Sequence, residues 1–171
     1  MILTGRREGE INGARWTEID LNKKLWTIPA VRAKNHEQHT VPLSDMALEI
    51  IKGLPRIKSD DGLVFVGSNG RQPTSFSRVK VRLDEAITEA NQDEPITAWV
   101  FHDLRRTMAS GMERLGIAPP VIEKCLNHKS GTFRGVTGVY LRFTYDDEKR
   151  AALDAWAQYV VKLQKVQSAN G

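Results

Sequence analysis

The spacing of apolar positions changes several times along the chain, and each change marks an element. Trp16-Thr17-Glu18-Ile19-Asp20 alternates apolar and polar, as a half-buried strand does. Leu25 to Pro29 and His39 to Leu43 are two further β-type segments, and polar turn residues separate the three at Asn22-Lys23-Lys24 and Lys34-Asn35-His36-Glu37. Together they predict a small antiparallel meander. From Ser44 onward the period lengthens. Met46, Leu48, Ile50 and Ile51 mark a helix over 45–54 with Ser44 as its N-cap. Leu63 to Val66 is a short apolar strand or buried stretch between two loops. Helices are expected over 74–90, 103–115 and 119–126, with Gly116 ending one and Pro119 starting the next. Positions 131–139 show no decisive period. A long amphipathic helix over 146–166 sets Leu153, Trp156, Val160 and Leu163 on one face. At the other end, 7–14 predicts a short helix. Met1 to Gly5 resembles the last turn of an apolar helix closed by glycine, so the chain reads as a fragment of a longer protein. The expected fold is mainly α with a small antiparallel β-sheet near the N-terminus.

Composition narrows the class. The 171 residues suffice for one domain with a sizeable core. The hydrophobic 40% and charged 27% are those of a soluble globular protein. The net charge of +4 suits a DNA partner without requiring one. A single cysteine, Cys125, excludes an intrachain disulfide framework and a thiolate metal cluster, and its apolar helical surroundings predict a buried side chain. With no apolar run near the ~20 residues a bilayer requires, no membrane partner is expected. The expected compartment is a reducing cytoplasm.

Candidate chemistry lies in an ordered set of polar residues: Arg6 and Arg7 with Glu10, Lys34 in a turn, His102 and Arg105, His128, and a tyrosine after them. Guanidiniums meet two phosphate oxygens at once and stay charged. His102 and Arg105 are three apart at a helix start, a favourable place for phosphate. A lysine on a turn can deliver a proton to a leaving oxygen, and Arg32 competes with Lys34 for that role. Arg6 and Arg7 compete by adjacency. Glu10 lies one helical turn after Arg7, within reach of an ion pair. His36, Glu37 and His39 look superficially like metal ligands, but His36 and His39 would face opposite sides of an extended chain and no ligand set is completed. Of the three tyrosines, Tyr159 falls in the amphipathic helix as a packing residue, and Tyr140 and Tyr145 are both candidate nucleophiles.

Several motifs together resemble a known family. They are Thr4-Gly5-Arg6-Arg7-Glu8-Gly9-Glu10, Arg15-Trp16 with Glu18-Ile19-Asp20, and Val41-Pro42-Leu43. To these add the segment from His102 through Leu104-Arg105-Arg106-Thr107, Leu126-Asn127-His128, and Gly138-Val139-Tyr140. Asp147-Glu148-Lys149-Arg150-Ala151-Ala152-Leu153 with Trp156 completes the set. The chain resembles the catalytic domain of tyrosine recombinases, the phage integrase family, and is most similar to prophage-type integrases. The resemblance runs from Thr4 to about Trp156. It implies the tyrosine recombinase catalytic-domain fold over 1–171, without the N-terminal DNA-binding domain and the first catalytic-domain helices usual in the family. It implies site-specific cutting and rejoining of DNA through a 3′-phosphotyrosine in prophage integration or excision, with no metal or nucleotide cofactor.

The resemblance also assigns roles. Arg7, selected over Arg6 by its spacing to Glu10, and Arg105 neutralise the phosphate, and Glu10 orients the site. Lys34 protonates the leaving 5′-oxygen. His102 accepts the tyrosine proton or donates to phosphate, and His128 hydrogen-bonds the scissile phosphate. Tyr140 is the nucleophile. The implied partners are double-stranded DNA attachment sites and further recombinase protomers in a tetramer on DNA. Two rival readings remain: a topoisomerase-like nicking-closing enzyme and a non-catalytic DNA-binding remnant.

Overall fold

The computed structural model describes residues 1–57, 59, 61–67, 70–73, 76–92, 94, 96–128 and 144–169, the last three of these without their side chains. The chain starts in a turn. Gly5 closes it, its N–H reaching Met1 O at 2.9 Å with φ at +61°. A Cβ there would press Leu126 and the Met108 sulfur at 3.0 Å, so position 5 is confined to glycine both by conformation and by space. Helix α1, Glu8–Asn12, follows and is held at its start by Glu10, whose carboxylate accepts from the Arg7 N–H at 3.0 Å.

The meander is present, with shorter strands than the alternation predicts. Strand β1 is Ile19–Asp20, β2 is Leu25–Ile28 and β3 is His39–Pro42, antiparallel in the order β1-β2-β3. Trp16–Glu18, expected as strand, forms a 3-10 turn. Glu18 explains why. Its carboxylate turns inward to accept from Trp26 Nε1 at 3.1 Å and from Arg32 at 2.8 and 2.6 Å, which an extended chain leading into β1 would not permit. Register places Trp26 opposite Val41 and Ile28 opposite His39. Trp26, Ile28 and Val41 point into the core. Leu63, in the short apolar stretch, makes a single bridge to Arg15.

The helices follow the periodicity closely. They are α2 (Asp45–Gly53), α3 (Ser77–Ala90), α4 (Phe101–Arg114), α5 (Pro119–Leu126) and α6 (Asp146–Ala169). Ser44 caps α2, its hydroxyl accepting from the Ala47 N–H at 3.4 Å. Helix α4 begins two residues earlier than expected, because Asp103 reaches back to the Val100 N–H at 2.8 Å. Helix α5 ends with Asn127 in the left-handed region, φ 51° and ψ 45°, and His128 N–H bonds Glu123 O at 3.0 Å.

Helix α6 packs on α2, α4, α5 and β3, and buries Ala152, Leu153, Trp156 and Ala157. Trp156 anchors it to the chain start through Nε1 to Ile2 O at 2.8 Å. The indole needs Gly111 on α4, since a Cβ there would fall 2.0 Å from Cζ3. Leu163, expected on the apolar face, is about half exposed, so the buried stripe ends before it. Helix α3 buries none of its residues. It is held instead by Trp99, whose Nε1 meets Asp84 at 2.9 Å, and by the edge-on pair Phe76–Phe101. Among the described residues no helix is long and apolar enough to cross a membrane.

Candidate functional site

Four segments far apart in sequence meet where the opening turn, β3, α4 and the end of α5 come together. Arg105, on the second turn of α4, is 2% exposed. Its guanidinium donates to Gly5 O through Nη1, to Leu126 O at 3.0 Å and to His128 Nε2 at 2.9 Å through Nη2. Because arginine has no acceptor, His128 must accept through Nε2 and carry its proton on Nδ1. Nδ1 faces Glu123 at 3.6 Å. Burial, then the nearby charge of Arg105, holds the His128 pKa below its ordinary value, against Glu123, which raises it. Burial and the charge of Arg7 bring Arg105 down to about 10.

Arg7 stands at the N-cap of α1, with its Nη1 3.6 Å from Glu10 Oε1. Glu10 is 3% exposed, so one carboxylate both fixes the start of the helix and holds the Arg7 guanidinium. Arg6 points the other way, into the protein. It is fully buried, donates to Thr4 O at 3.2 Å and to Cys125 O, and burial pushes its pKa down to about 9. The adjacent arginines therefore stand in different surroundings. Arg6, with Arg105, satisfies carbonyls at the negative end of α5, a favourable place for cations. Arg7 is the partly exposed member. Among the described residues the buried atoms Arg6 Nη1, Arg7 Nη1 and Arg105 Nε have no hydrogen-bond partner. Arg7 and Arg105 thus bring two guanidinium charges beside His128, a charge pattern suited to an anion.

Arg32, the rival to Lys34, is committed to its paired bonds with Glu18 and has slid over Gly13, where a Cβ would fall 2.6 Å from its Nη1. Lys34 is exposed on the turn between β2 and β3. The next residue ties that turn to the site: Asn35 Nδ2 donates to Asn127 Oδ1 at 2.9 Å, and Asn127 Nδ2 returns to Asn35 Oδ1 at 3.4 Å. His102 is exposed on the first turn of α4, one turn before Arg105, and is not drawn into the Arg105–His128 contact. Tyr140 lies outside the described residues. The alternative, Tyr145, packs against the core with the Lys124 ammonium 5.8 Å from its ring centre, and Tyr159, read as a packing residue, stacks on Trp156 at 5.7 Å.

Two titratable neighbours of the cluster were not singled out from the sequence. His39, considered only as a metal ligand, lies at the start of β3 in the field of the cluster. Burial first, then the charges of Arg6, Lys149, Arg105 and Arg7, push its pKa down to about 2. Lys149 of α6 is buried, donates to Thr40 O at 3.2 Å and pairs with Asp146 at 2.8 Å. The signal for His39 was its place two residues before Val41-Pro42-Leu43. The signal for Lys149 was a lysine in register with the buried face of α6.

Comparison with known proteins gives this arrangement a family. Residues 1–145 match the model of the phage integrase family. Prophage integrase IntA of Escherichia coli (strain K12) is 32% identical over 160 residues, which cover 93% of this chain and 37% of that protein. The integrase of Enterobacteria phage P4 is 28% identical, covering 93% of this chain and 38% of its own length. The chain belongs to the phage integrase family. It spans well under half the length of these relatives. Among solved structures, XerA recombinase superposes with a TM-score of 0.61 at 20% identity, over 92% of this chain and 54% of that one. The Tn1549 transposon integrase in complex with a circular intermediate DNA gives 0.64 at 18%, over 90% and 55%. The fold is that of tyrosine recombinase catalytic domains: mostly helical, with a small three-stranded antiparallel sheet.

Proposed function

We propose that this chain is the catalytic part of a site-specific DNA recombinase that cuts and rejoins strands through a 3′-phosphotyrosine. The observation that carries the reading is the convergence of Arg7, Arg105 and His128, which sets two guanidinium charges beside one imidazole. In this reading the scissile phosphate sits against Arg7 and Arg105, whose charge is most valuable when the pentavalent phosphorus carries an extra negative charge. Tyr140 Oη attacks phosphorus, the bond to the 5′-oxygen breaks, and Lys34 gives that oxygen its proton. Attack by a 5′-hydroxyl on the phosphotyrosine then restores the phosphodiester and frees the tyrosine. Bond energy is conserved in the intermediate, so neither metal nor nucleotide is needed. His102 takes up the phenol proton or donates to phosphate, and His128, whose one proton now faces Glu123, turns that N–H to the scissile phosphate. Glu10 supports Arg7.

Double-stranded attachment-site DNA is the substrate, and further protomers complete a tetramer on it, in prophage integration or excision. The relatives named integrases and the fold shared with a DNA-bound transposon integrase support this class of partner.

The test is covalent trapping. A pool of duplexes, randomised across the cleavage region and nicked nearby, releases a short oligonucleotide after cleavage, so rejoining fails and the adduct accumulates. A denaturation-resistant protein–DNA band is expected. DNA binding without any adduct across the pool would point to a non-catalytic binding module. Plasmid relaxation without strand exchange would point to a nicking-closing enzyme.

A further inference from the structure

The paired amides of Asn35 and Asn127 are not part of the machinery proposed above, yet each is the immediate neighbour of a member of it. Asn35 follows Lys34, and Asn127 precedes His128. The two side chains are 92 positions apart in the chain and exchange donors and acceptors at 2.9 and 3.4 Å, half-buried. Asn35 has a second task. Its Oδ1 also receives the Glu37 N–H at 3.4 Å, which shapes the turn locally, and His36 takes φ +57° to complete it. Asn127 also has two tasks, since it is the left-handed C-cap that lets His128 N–H reach Glu123 O. The amide pair therefore joins two local caps. One presents an exposed lysine, and the other presents the imidazole held by Arg105.

We propose that Asn35 and Asn127 form a clasp that holds the β2–β3 turn against the end of α5 and thereby presents Lys34 to the leaving oxygen beside His128. This rests on the phosphotyrosine reading for its chemical consequence, but the holding itself does not. A lysine stem has four rotatable carbons and its ammonium wanders unless its backbone is fixed. Proton donation to a leaving oxygen needs the donor within hydrogen-bond reach. The clasp supplies that fix with groups that neither titrate nor touch the phosphate, so both are positioning residues.

Two variants separate the roles. Asn127→Gly removes the amide and keeps an easy left-handed cap. Asn35→Ala removes the other half. The first measurement is the rate of trypsin cleavage after Lys34 in the folded chain, which reports local opening of the turn. Loss of the pair should raise it roughly tenfold in either variant, and no further in the double variant, since the first change already breaks the clasp. The second measurement is adduct formation on matched nicked duplexes with oxygen or sulfur at the bridging 5′ position. A 5′-thiolate leaves without a proton, so the sulfur duplex does not need Lys34. Adduct formation on the oxygen duplex should fall about tenfold while the sulfur duplex is cut at the parent rate.

Unchanged trypsin cleavage in both variants would overturn the clasp whether or not the protein cuts DNA. Faster cleavage with equal losses on both duplexes would overturn the presentation of Lys34 and leave only a structural tie. A parent chain that forms no adduct on either duplex would overturn the proposed function, and the presentation of Lys34 with it, while the trypsin result still decides the holding.

Discussion

Replacing Arg105 with lysine keeps the charge and removes the geometry. Three contacts depend on the guanidinium, to Gly5 O, Leu126 O and His128 Nε2. Gly5 and Leu126 are both buried, so their carbonyls are shielded from solvent. One ammonium on a flexible stem cannot span both carbonyls and the imidazole. At least one buried carbonyl and the histidine lose their donor. An unsatisfied buried acceptor costs about 1–3 kcal/mol, so the loss should be about 2–4 kcal/mol. For a domain of this size that lowers Tm by roughly 5–15 °C. The assay is thermal unfolding followed by far-ultraviolet circular dichroism, with Arg106→Lys as the control. Arg106 is exposed and, among the described residues, pairs with Asp103 at 3.0 Å, so its variant should melt with the parent. An Arg105→Lys variant that melts within about 2 °C of the parent would show that the turn, α4 and α5 are not joined through this side chain. In the same variant covalent trapping should be severely impaired even at temperatures where it remains folded, because the bidentate fork is gone.

Three further outcomes follow from the packing and the electrostatics. Gly111→Ala should destabilise by about 1–3 kcal/mol despite alanine's better helix propensity, because its Cβ overlaps the Trp156 ring, whereas Gly9→Ala, which meets nothing, should be neutral or better. Chemical denaturation of both variants checks this, and a stabilised Gly111→Ala would refute the close approach. His39 stays neutral in the fold down to about 2 but ionises near 6.5 when unfolded, so its contribution is fully present above 6.5 and is lost as pH falls below it, by up to ~1.4 kcal/mol per pH unit. Stability measured at pH 7 and 5.5 should therefore drop by about 1 kcal/mol, and a parent and a His39→Gln variant with identical pH profiles would contradict this. An anion beside His128 should raise its depressed pKa, so DNA binding takes up a proton and weakens as pH rises through neutrality, and His128→Asn should flatten that dependence in titrations at fixed salt.

Much of this was legible in the sequence, and the rest fails for physical reasons. The β-type alternation and the helical periods reflect which face is buried, so the meander and the helices from 44 onward could be read directly. Boundaries shifted where a side chain intervened: Glu18 drew Trp16–Glu18 out of the strand, and Asp103 extended α4 backward. For the site, motif order pointed to Arg7, Lys34, His102, Arg105, His128 and Tyr140, and the structure sets Arg105 against His128. Motif order could not tell that Arg6 turns inward to the α5 carbonyls, or that Arg32 is consumed by Glu18, because both depend on contacts across the fold. His39 was weighed only as a metal ligand, because sequence shows what a histidine can bind and not the cations that surround it. The role of Tyr140 rests on sequence alone.

That role is also where the account is most directly tested. Trypsin divides the two candidate tyrosines cleanly: Tyr140 falls in the peptide 135–142 and Tyr145 in 143–149. Trapping the full chain on the nicked duplex pool, digesting with nuclease and trypsin, and reading the modified peptide by mass should place the residual nucleotide on 135–142, with Tyr140→Phe folded, DNA-binding and free of adduct. A nucleotide found on 143–149, or an adduct that survives in Tyr140→Phe, would contradict the assignment of the nucleophile.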